Sequence, residues 1–241
     1  MRLIDFVVVG VQKAGTTALY DYLSGDPAYG MAIEKEAHFF DNDALNWETP
    51  SYESYHAQFD WSRPLIRGEA TPIYIYWPNC LERIAAYNRA MKIVVMLRNP
   101  IERAWSHWKM ETARGVETHD FSWCIRNGRK RLRDTDPWGV HREFSYVERG
   151  FYGEQLERLF RFFPRDQVLI VEANDLRRKP ADPLSRLSKF LGAPPPAATD
   201  RRSVHTGPAS SVSPSEHDVA LMREIYAEDN ARLRVLTGVY Y

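Results

Sequence analysis

The sequence predicts an α/β protein of the P-loop type, with a doubly wound, mainly parallel sheet flanked by helices. Three observations lead there. Short apolar runs recur at Phe6–Val9, Lys92–Leu97 and Val168–Val171, each of strand length and rich in β-branched residues. Helical patterns separate these runs, which is the sign of parallel strands joined by crossovers. The first run also ends in Gly10, and Gly15 with Thr16 and Thr17 then opens a helix. A strand, a glycine turn and a helix N-terminus together bind phosphate-like anions, because the first N–H groups of the helix point outward and its dipole favours negative charge.

The elements follow in order. Phe6–Val9 is a buried strand and Ala18–Leu23 the helix after its turn. Gly25-Asp26-Pro27 is a turn. Residues 42–67, rich in Trp, Tyr and Asp and broken by Pro50 and Pro64, form a loop region with a short helix near Tyr52–Phe59. Gly68–Pro72 is a strand end and turn, and Asn79–Asn88 a helix. Lys92–Leu97 is the second clear strand. Its Arg98-Asn99-Pro100 exit leads into a helix over Ile101–Ala113, where the missing N–H of Pro100 suits the first turn. Residues 114–150 give no clear period. Tyr152–Phe163 is an amphipathic helix closed by Pro164, Val168–Val171 the third strand, and Leu184–Leu191 a helix ending at Gly192. Pro194-Pro195-Pro196 is a spacer. A loop over Thr199–Ser213 leads to a final helix from about Pro214 to Leu236.

Composition narrows the class. The 241 residues suit a single domain over 1–241, and 44% hydrophobic residues supply a core. Lys and Arg total 32 against 32 Asp and Glu, so net charge gives no reason to expect a nucleic-acid partner. The two cysteines, Cys80 and Cys124, lack metal-ligand spacing, and neither a disulfide scaffold nor a metal site is expected. No apolar stretch is long enough to span a membrane and none reads as a secretion signal, so the expectation is a soluble cytoplasmic protein. The oligomeric state is not readable.

Gly10 and Gly15 have the spacing of the nucleoside-triphosphate loop, but Thr16 stands at its lysine position and the lysine has moved back to Lys13. The stretch Gln12-Lys13-Ala14-Gly15-Thr16-Thr17 resembles the 5′-phosphosulfate loop of sulfotransferases that use 3′-phosphoadenosine 5′-phosphosulfate (PAPS). A second motif, Arg98-Asn99-Pro100-Ile101-Glu102-Arg103-Ala104-Trp105-Ser106, resembles the 3′-phosphate site of that family. A guanidinium and a hydroxyl can jointly hold a phosphate. Two phosphate-type motifs match a donor carrying both a 3′-phosphate and a 5′-phosphosulfate.

Lys35-Glu36-Ala37-His38-Phe39-Phe40-Asp41 is similar to the segment that supplies the catalytic carboxylate in the heparan-sulfate-type sulfotransferases. That resemblance implies Glu36 as general base, with His38 and Asp41 lining the acceptor site. His38 is the alternative base, since cytosolic small-molecule sulfotransferases use a histidine. Arg149-Gly150-Phe151-Tyr152 resembles a segment that frames the nucleotide through a residue near the tyrosine; a core aromatic is the other reading of Tyr152. The Arg201-Arg202 loop falls where the family closes a basic lid over the 3′-phosphate, although the family's Lys/Arg-Gly-Arg pattern is missing.

The resemblance therefore implies a soluble, bacterial-type PAPS-dependent sulfotransferase with no metal. Lys13, Ala14, Gly15, Thr16, Thr17, Ala18, Arg98, Ser106, Tyr152, Arg201 and Arg202 would bind the donor, which leaves as 3′-phosphoadenosine 5′-phosphate. The acceptor would be a saccharide or a small hydroxylated natural product. Trp and Tyr residues between Trp47 and Trp77 either stack on acceptor rings or fill the core. The five cations from Arg126 to Arg133 either meet an anionic acceptor or form a solvated helix face. Two other classes stay open: a P-loop kinase-like phosphotransferase, which the Thr16 substitution disfavours, and a non-catalytic nucleotide- or polyanion-binding module.

Overall fold

The computed structural model describes residues 2–135, 139–197 and 213–241. Along them run β1 (Phe6–Gly10), α1 (Thr16–Ser24), β2 (Tyr29–Met31), α2 (Glu53–His56), β3 (Ile66–Ala70), α3 (Cys80–Tyr87) and β4 (Lys92–Leu97). There follow α4 (Pro100–Ala113), α5 (Phe121–Arg133), α6 (Tyr152–Phe160), β5 (Val168–Glu172), α7 (Ala173–Arg178), α8 (Ala181–Leu191) and α9 (Glu216–Thr237). The chain groups into two compact units, Met1–Leu97 with Leu159–His205 and Arg98–Arg158 with Thr206–Tyr241.

The first unit holds the sheet, in the order β2-β3-β1-β4-β5, with every neighbouring pair parallel. β1 is central, and all five of its residues are buried. A strand covered on both faces reads as an unbroken apolar run, which is why Phe6–Val9 shows no alternation. Each such side chain contributes roughly 1.5–3 kcal/mol by leaving water. The chain leaves β1 toward β2 and β3 on one side and leaves β4 toward β5 on the other. The topological switch point, where open α/β sheets take their ligands, therefore lies between β1 and β4. There the pairing slips between Val8 and Gly10, and the Val11 amide donates to the Met96 carbonyl at 2.8 Å.

The second unit is helical. Ala104 of α4, Phe121, Cys124 and Ile125 of α5, Tyr146 and Val147, and Met222 and Tyr226 of α9 form its core. Asp229 closes the start of α6, its carboxylate accepting from the Gly153 and Glu154 amides at 2.8 and 2.9 Å. Arg103 is wholly buried, with its guanidinium donating to the Tyr146 carbonyl.

Four elements depart from the sequence expectation. β2 is a three-residue strand that follows the Gly25 turn. β3 begins at Ile66, inside the expected loop region. α5 occupies 121–133, in the stretch without a clear period, and α7 follows β5 directly. α6 also stops at Phe160, short of Phe163, and α8 starts at Ala181, one turn before Leu184. The Thr199–Ser213 loop, and with it Arg201 and Arg202, lies outside the described residues except for Ser213.

Candidate functional site

The turn after β1 leaves backbone donors open. A side chain at Gly10 would collide with Ile75, so glycine is required where the strand ends. Lys13 and Gly15 adopt left-handed φ angles of 70° and 83°. That conformation costs a residue other than glycine roughly 1–2 kcal/mol, a cost that Gly15 escapes and Lys13 bears. The buried Ala14 donates its amide to the Val11 carbonyl at 3.1 Å. Gly15 is the N-cap of α1 and supplies no side-chain acceptor, and no acidic residue stands in the first turn. The amides of Thr16, Thr17 and Ala18 thus have no intrahelical acceptor, and the first turn itself carries no carboxylate. This fits an anion approaching along the helix axis. Thr16 is buried, and Lys13 is the one basic residue of the loop sequence.

In the same unit, residues 35–41 bring four ionisable side chains together. Lys35 Nζ lies 2.5 Å from Glu36 Oε1. His38 stands between two carboxylates, with Nδ1 2.8 Å from Asp41 Oδ2 and Nε2 3.5 Å from Glu36 Oε2. Hydrogen bonding to Asp41, then to Glu36, raises the imidazole to about 9 against the opposing effect of burial. Burial pushes the Glu36 carboxyl up, but hydrogen bonds from His38 and Lys35 outweigh it and hold the group at about 2. The loop thus presents an ionised carboxylate beside an imidazolium at neutral pH. Glu36 and His38 have φ of 65° and 49°, again left-handed.

A buried frame fixes this loop. The Phe39 and Phe40 amides donate to the Tyr74 hydroxyl at 3.0 and 3.4 Å. Arg83 donates to the Phe40 carbonyl at 2.8 Å, pairs with Asp43 at 2.8 Å, and lies 4.3 Å over the Trp47 ring. Glu69, wholly buried at the end of β3, accepts from Tyr55 at 3.0 Å and from Thr71 at 2.6 Å. Burial outweighs its hydrogen bonds with Thr71, Tyr74 and Tyr55 and raises this carboxyl to about 7. Tyr55, Tyr74, Tyr76 and Trp77 are all buried and belong to the core.

In the second unit, Asn99 caps α4 by accepting from the Ile101 and Glu102 amides at 3.0 and 3.3 Å. That cap sets the phase of the helix. Arg98, Trp105, Ser106 and Lys109 consequently line one cavity of about 550 Å³, whose other wall includes Arg223 and Asn230 of α9. Arg98 Nε donates to Glu102 at 3.2 Å. Tyr152 is buried and its hydroxyl donates to the Arg98 carbonyl at 2.9 Å, so it steadies the arginine backbone and does not line the cavity. Lys109 and Arg223 were not found from the sequence. Lys109 had a signal, one turn after Ser106 on the same face; Arg223 comes from a distant helix and had none.

The Arg126–Arg133 cations lie on α5, and three are paired: Arg126 with Asp218 at 2.7 Å, Arg129 with Glu148 at 3.4 Å and Arg131 with Glu117 at 2.8 Å. Among the described residues, no group of three or more His, Cys, Asp or Glu is placed to hold a metal ion, and no helix is long and apolar enough to cross a membrane.

Comparison with known proteins adds four findings. The family described as "Sulfotransferase domain" matches residues 3–206. Heparan sulfate glucosamine 3-O-sulfotransferase 3B1 of Mus musculus is 32% identical over 200 residues, covering 79% of this chain and 46% of that protein. The bifunctional heparan sulfate N-deacetylase/N-sulfotransferase 2 of Bos taurus is 29% identical over 212 residues, covering 80% of this chain and 22% of that protein. The chain thus spans about half or less of the length of these curated relatives. A sulfotransferase crystal structure from Alicyclobacillus acidocaldarius superposes with a TM-score of 0.82 at 26% identity, covering 100% of this chain and 98% of that one.

Proposed function

The chain belongs to the sulfotransferase family, and from that premise we propose that residues 1–241 act as one domain moving a sulfuryl group from PAPS to an acceptor hydroxyl. The observation that carries the reading is the uncapped N-terminus of α1 behind Lys13, an anion site whose cation has left the triphosphate-loop position. A second anion-binding set, Arg98 and Ser106 on one cavity, gives a 3′-phosphate its own partners. A nucleoside triphosphate has no such group.

Lys13 and the first-turn amides of α1 hold the 5′-phosphosulfate. Lys13 then stabilises the negative charge that develops on the bridging oxygen as the S–O bond to it breaks and the electron pair stays with that oxygen. Electrostatic stabilisation of this type often lowers such a barrier more than any other single effect. Arg98 and Ser106 hold the 3′-phosphate, a guanidinium and a hydroxyl sharing its oxygens. Glu36 accepts the acceptor's hydroxyl proton as the new S–O bond forms. Its low proton affinity suits a late transfer, when bonding to sulfur has made the hydroxyl strongly acidic. His38, an imidazolium between two carboxylates, has no lone pair for that role; with one N–H toward Asp41 and the other toward Glu36, it orients Glu36.

The heparan sulfate relatives and the accessible Glu36 and His38 favour a saccharide hydroxyl as acceptor, with a small hydroxylated natural product as the alternative; Asp41, expected to line the acceptor site, is buried and acts through His38. The test is thermal stabilisation by 3′-phosphoadenosine 5′-phosphate against 5′-AMP and ATP–Mg²⁺, followed by transfer of labelled sulfate to candidate saccharides. A ligand at 100 times its Kd adds about 2.7 kcal/mol, or roughly 5 °C for a chain of this size. A shift with ATP–Mg²⁺ alone would sink the proposal in favour of a kinase.

A further inference from the structure

The cavity of the second unit carries more positive charge than the Arg98–Ser106 motif accounts for. Among the described residues, its charged lining consists of Arg98, Glu102, Lys109 and Arg223. Arg98 and Glu102 are paired with each other at 3.2 Å, which leaves Lys109 and Arg223 as the excess. Lys109 sits one turn beyond Ser106 and rests over the Trp105 ring at 5.9 Å, without an acidic partner among the described residues. Arg223 projects from α9, and its side chain makes no hydrogen bond or ion pair among the described residues. The helix face that carries it is pinned on both sides. Tyr226 donates to the Val147 carbonyl at 2.9 Å, and Asn230 donates to the Tyr241 carbonyl at 3.2 Å.

A phosphate monoester near pH 7 carries a charge of roughly −1.5 to −2 and three strong acceptor oxygens. The Ser106 hydroxyl supplies one donor, and the two cations, which lack an acidic partner among the described residues, match the charge. α9 also lies beyond the residues that the family match covers, so that match gives Arg223 no role.

We infer that Arg223, together with Lys109, reads the 3′-phosphate and makes the site prefer a 3′,5′-bisphosphorylated nucleoside to a 5′-monophosphate. This rests on the donor assignment proposed above. The two cations act as specificity residues: they bind the group that distinguishes one nucleotide from the other and touch no reacting atom.

The test is calorimetric titration of the whole chain with 3′-phosphoadenosine 5′-phosphate and, by displacement, with 5′-AMP. Wild type is compared with Arg223→Gln, Lys109→Gln and the double variant. Arg223 is exposed and Lys109 half-buried, so folding should survive, and unliganded melting curves check it. Loss of a charge-assisted hydrogen bond predicts a bisphosphate affinity weaker by about 10- to 100-fold in each single variant. 5′-AMP should change by less than about twofold, as a group that contacts only the 3′-phosphate requires. Arg223→Lys should recover part of the loss. An equal loss for both nucleotides would mean general attraction and overturns the inference. An unchanged bisphosphate preference in the double variant overturns it too, while leaving the donor assignment standing. A wild type that does not distinguish the two nucleotides removes the donor assignment and this inference together.

Discussion

Replacing Glu69 with glutamine should abolish a pH dependence of stability that the wild type carries between pH 4.5 and 7. Glu69 is wholly buried, and its two oxygens accept from Tyr55 and Thr71. Burial nevertheless raises it from 4.5 to about 7. The folded state therefore binds this proton more tightly than the unfolded chain does. The associated stability is fully present below pH 4.5 and is lost as pH rises through about 7. At about 1.36 kcal/mol per pH unit of that displacement, the loss totals about 3 kcal/mol. Glutamine stays neutral and keeps one acceptor oxygen, so Glu69→Gln should lack this fall and gain on the wild type as pH increases. Urea unfolding of both proteins at steps from pH 4.5 to 8 measures it. A difference between the two that stays constant within about 0.5 kcal/mol would refute the reasoning, because Glu69 would then bind its proton equally in the folded and unfolded states. The result bears on function: Tyr74, which interacts with Glu69, also holds the Phe39 and Phe40 amides of the Glu36 loop.

Three other outcomes are expected. Glu36→Gln should lower kcat by about 10²- to 10⁴-fold with donor affinity nearly unchanged, whereas Lys13→Ala should lower both; turnover and equilibrium titration separate them, and wild-type turnover in Glu36→Gln removes that residue from the mechanism. The His38–Asp41 pair contributes stability below pH 6.5 that is lost as pH rises through about 9. His38→Asn should flatten that alkaline fall in a series of melting curves, and an unchanged fall counts against the pair. Gly15→Ala, at φ 83°, should cost about 1–2 kcal/mol in denaturant unfolding and weaken bisphosphate binding; an unaffected variant would show that the turn does not depend on the left-handed position.

Legibility from sequence followed how local each signal was. β1 and β4 were visible because strands covered on both faces are written as continuous apolar runs, and β5, an edge strand in which only Val171 is buried, because Val168–Val171 is apolar and rich in β-branched residues. β3 was obscured by Arg67 and Glu69, polar side chains that are buried because hydrogen bonds satisfy them: the Asp60 and Leu65 carbonyls accept from Arg67, and Tyr55 donates to Glu69. β2 is three residues long and its burial pattern does not alternate. α5 had a readable pattern, with Phe121, Cys124, Ile125, Gly128 and Leu132 on its buried face, but the arginines between them drew the reading toward surface charge. The Lys13 turn and the Glu36–His38–Asp41 set each lie within one short segment, where spacing alone suggests proximity. Arg223 faces the Ser106 cavity only through the packing of α9, and nothing local to it could announce that.

The central position of β1 also bears on how the chain is made. Phe6–Gly10 leaves the ribosome well before either strand that flanks it, since β3 and β4 are both encoded far downstream. At ~5–20 residues per second, the apolar segment waits on the order of 10 s before Leu97 has been synthesised. An uncharged run of Phe and Val with open edges is a template for intermolecular pairing during that interval. The strand that organises the finished sheet thus needs shielding in the nascent chain. Slower synthesis at low temperature lengthens that wait while weakening hydrophobic association, so soluble yield should respond more to a co-expressed holdase that covers Phe6–Gly10 than to a change of temperature.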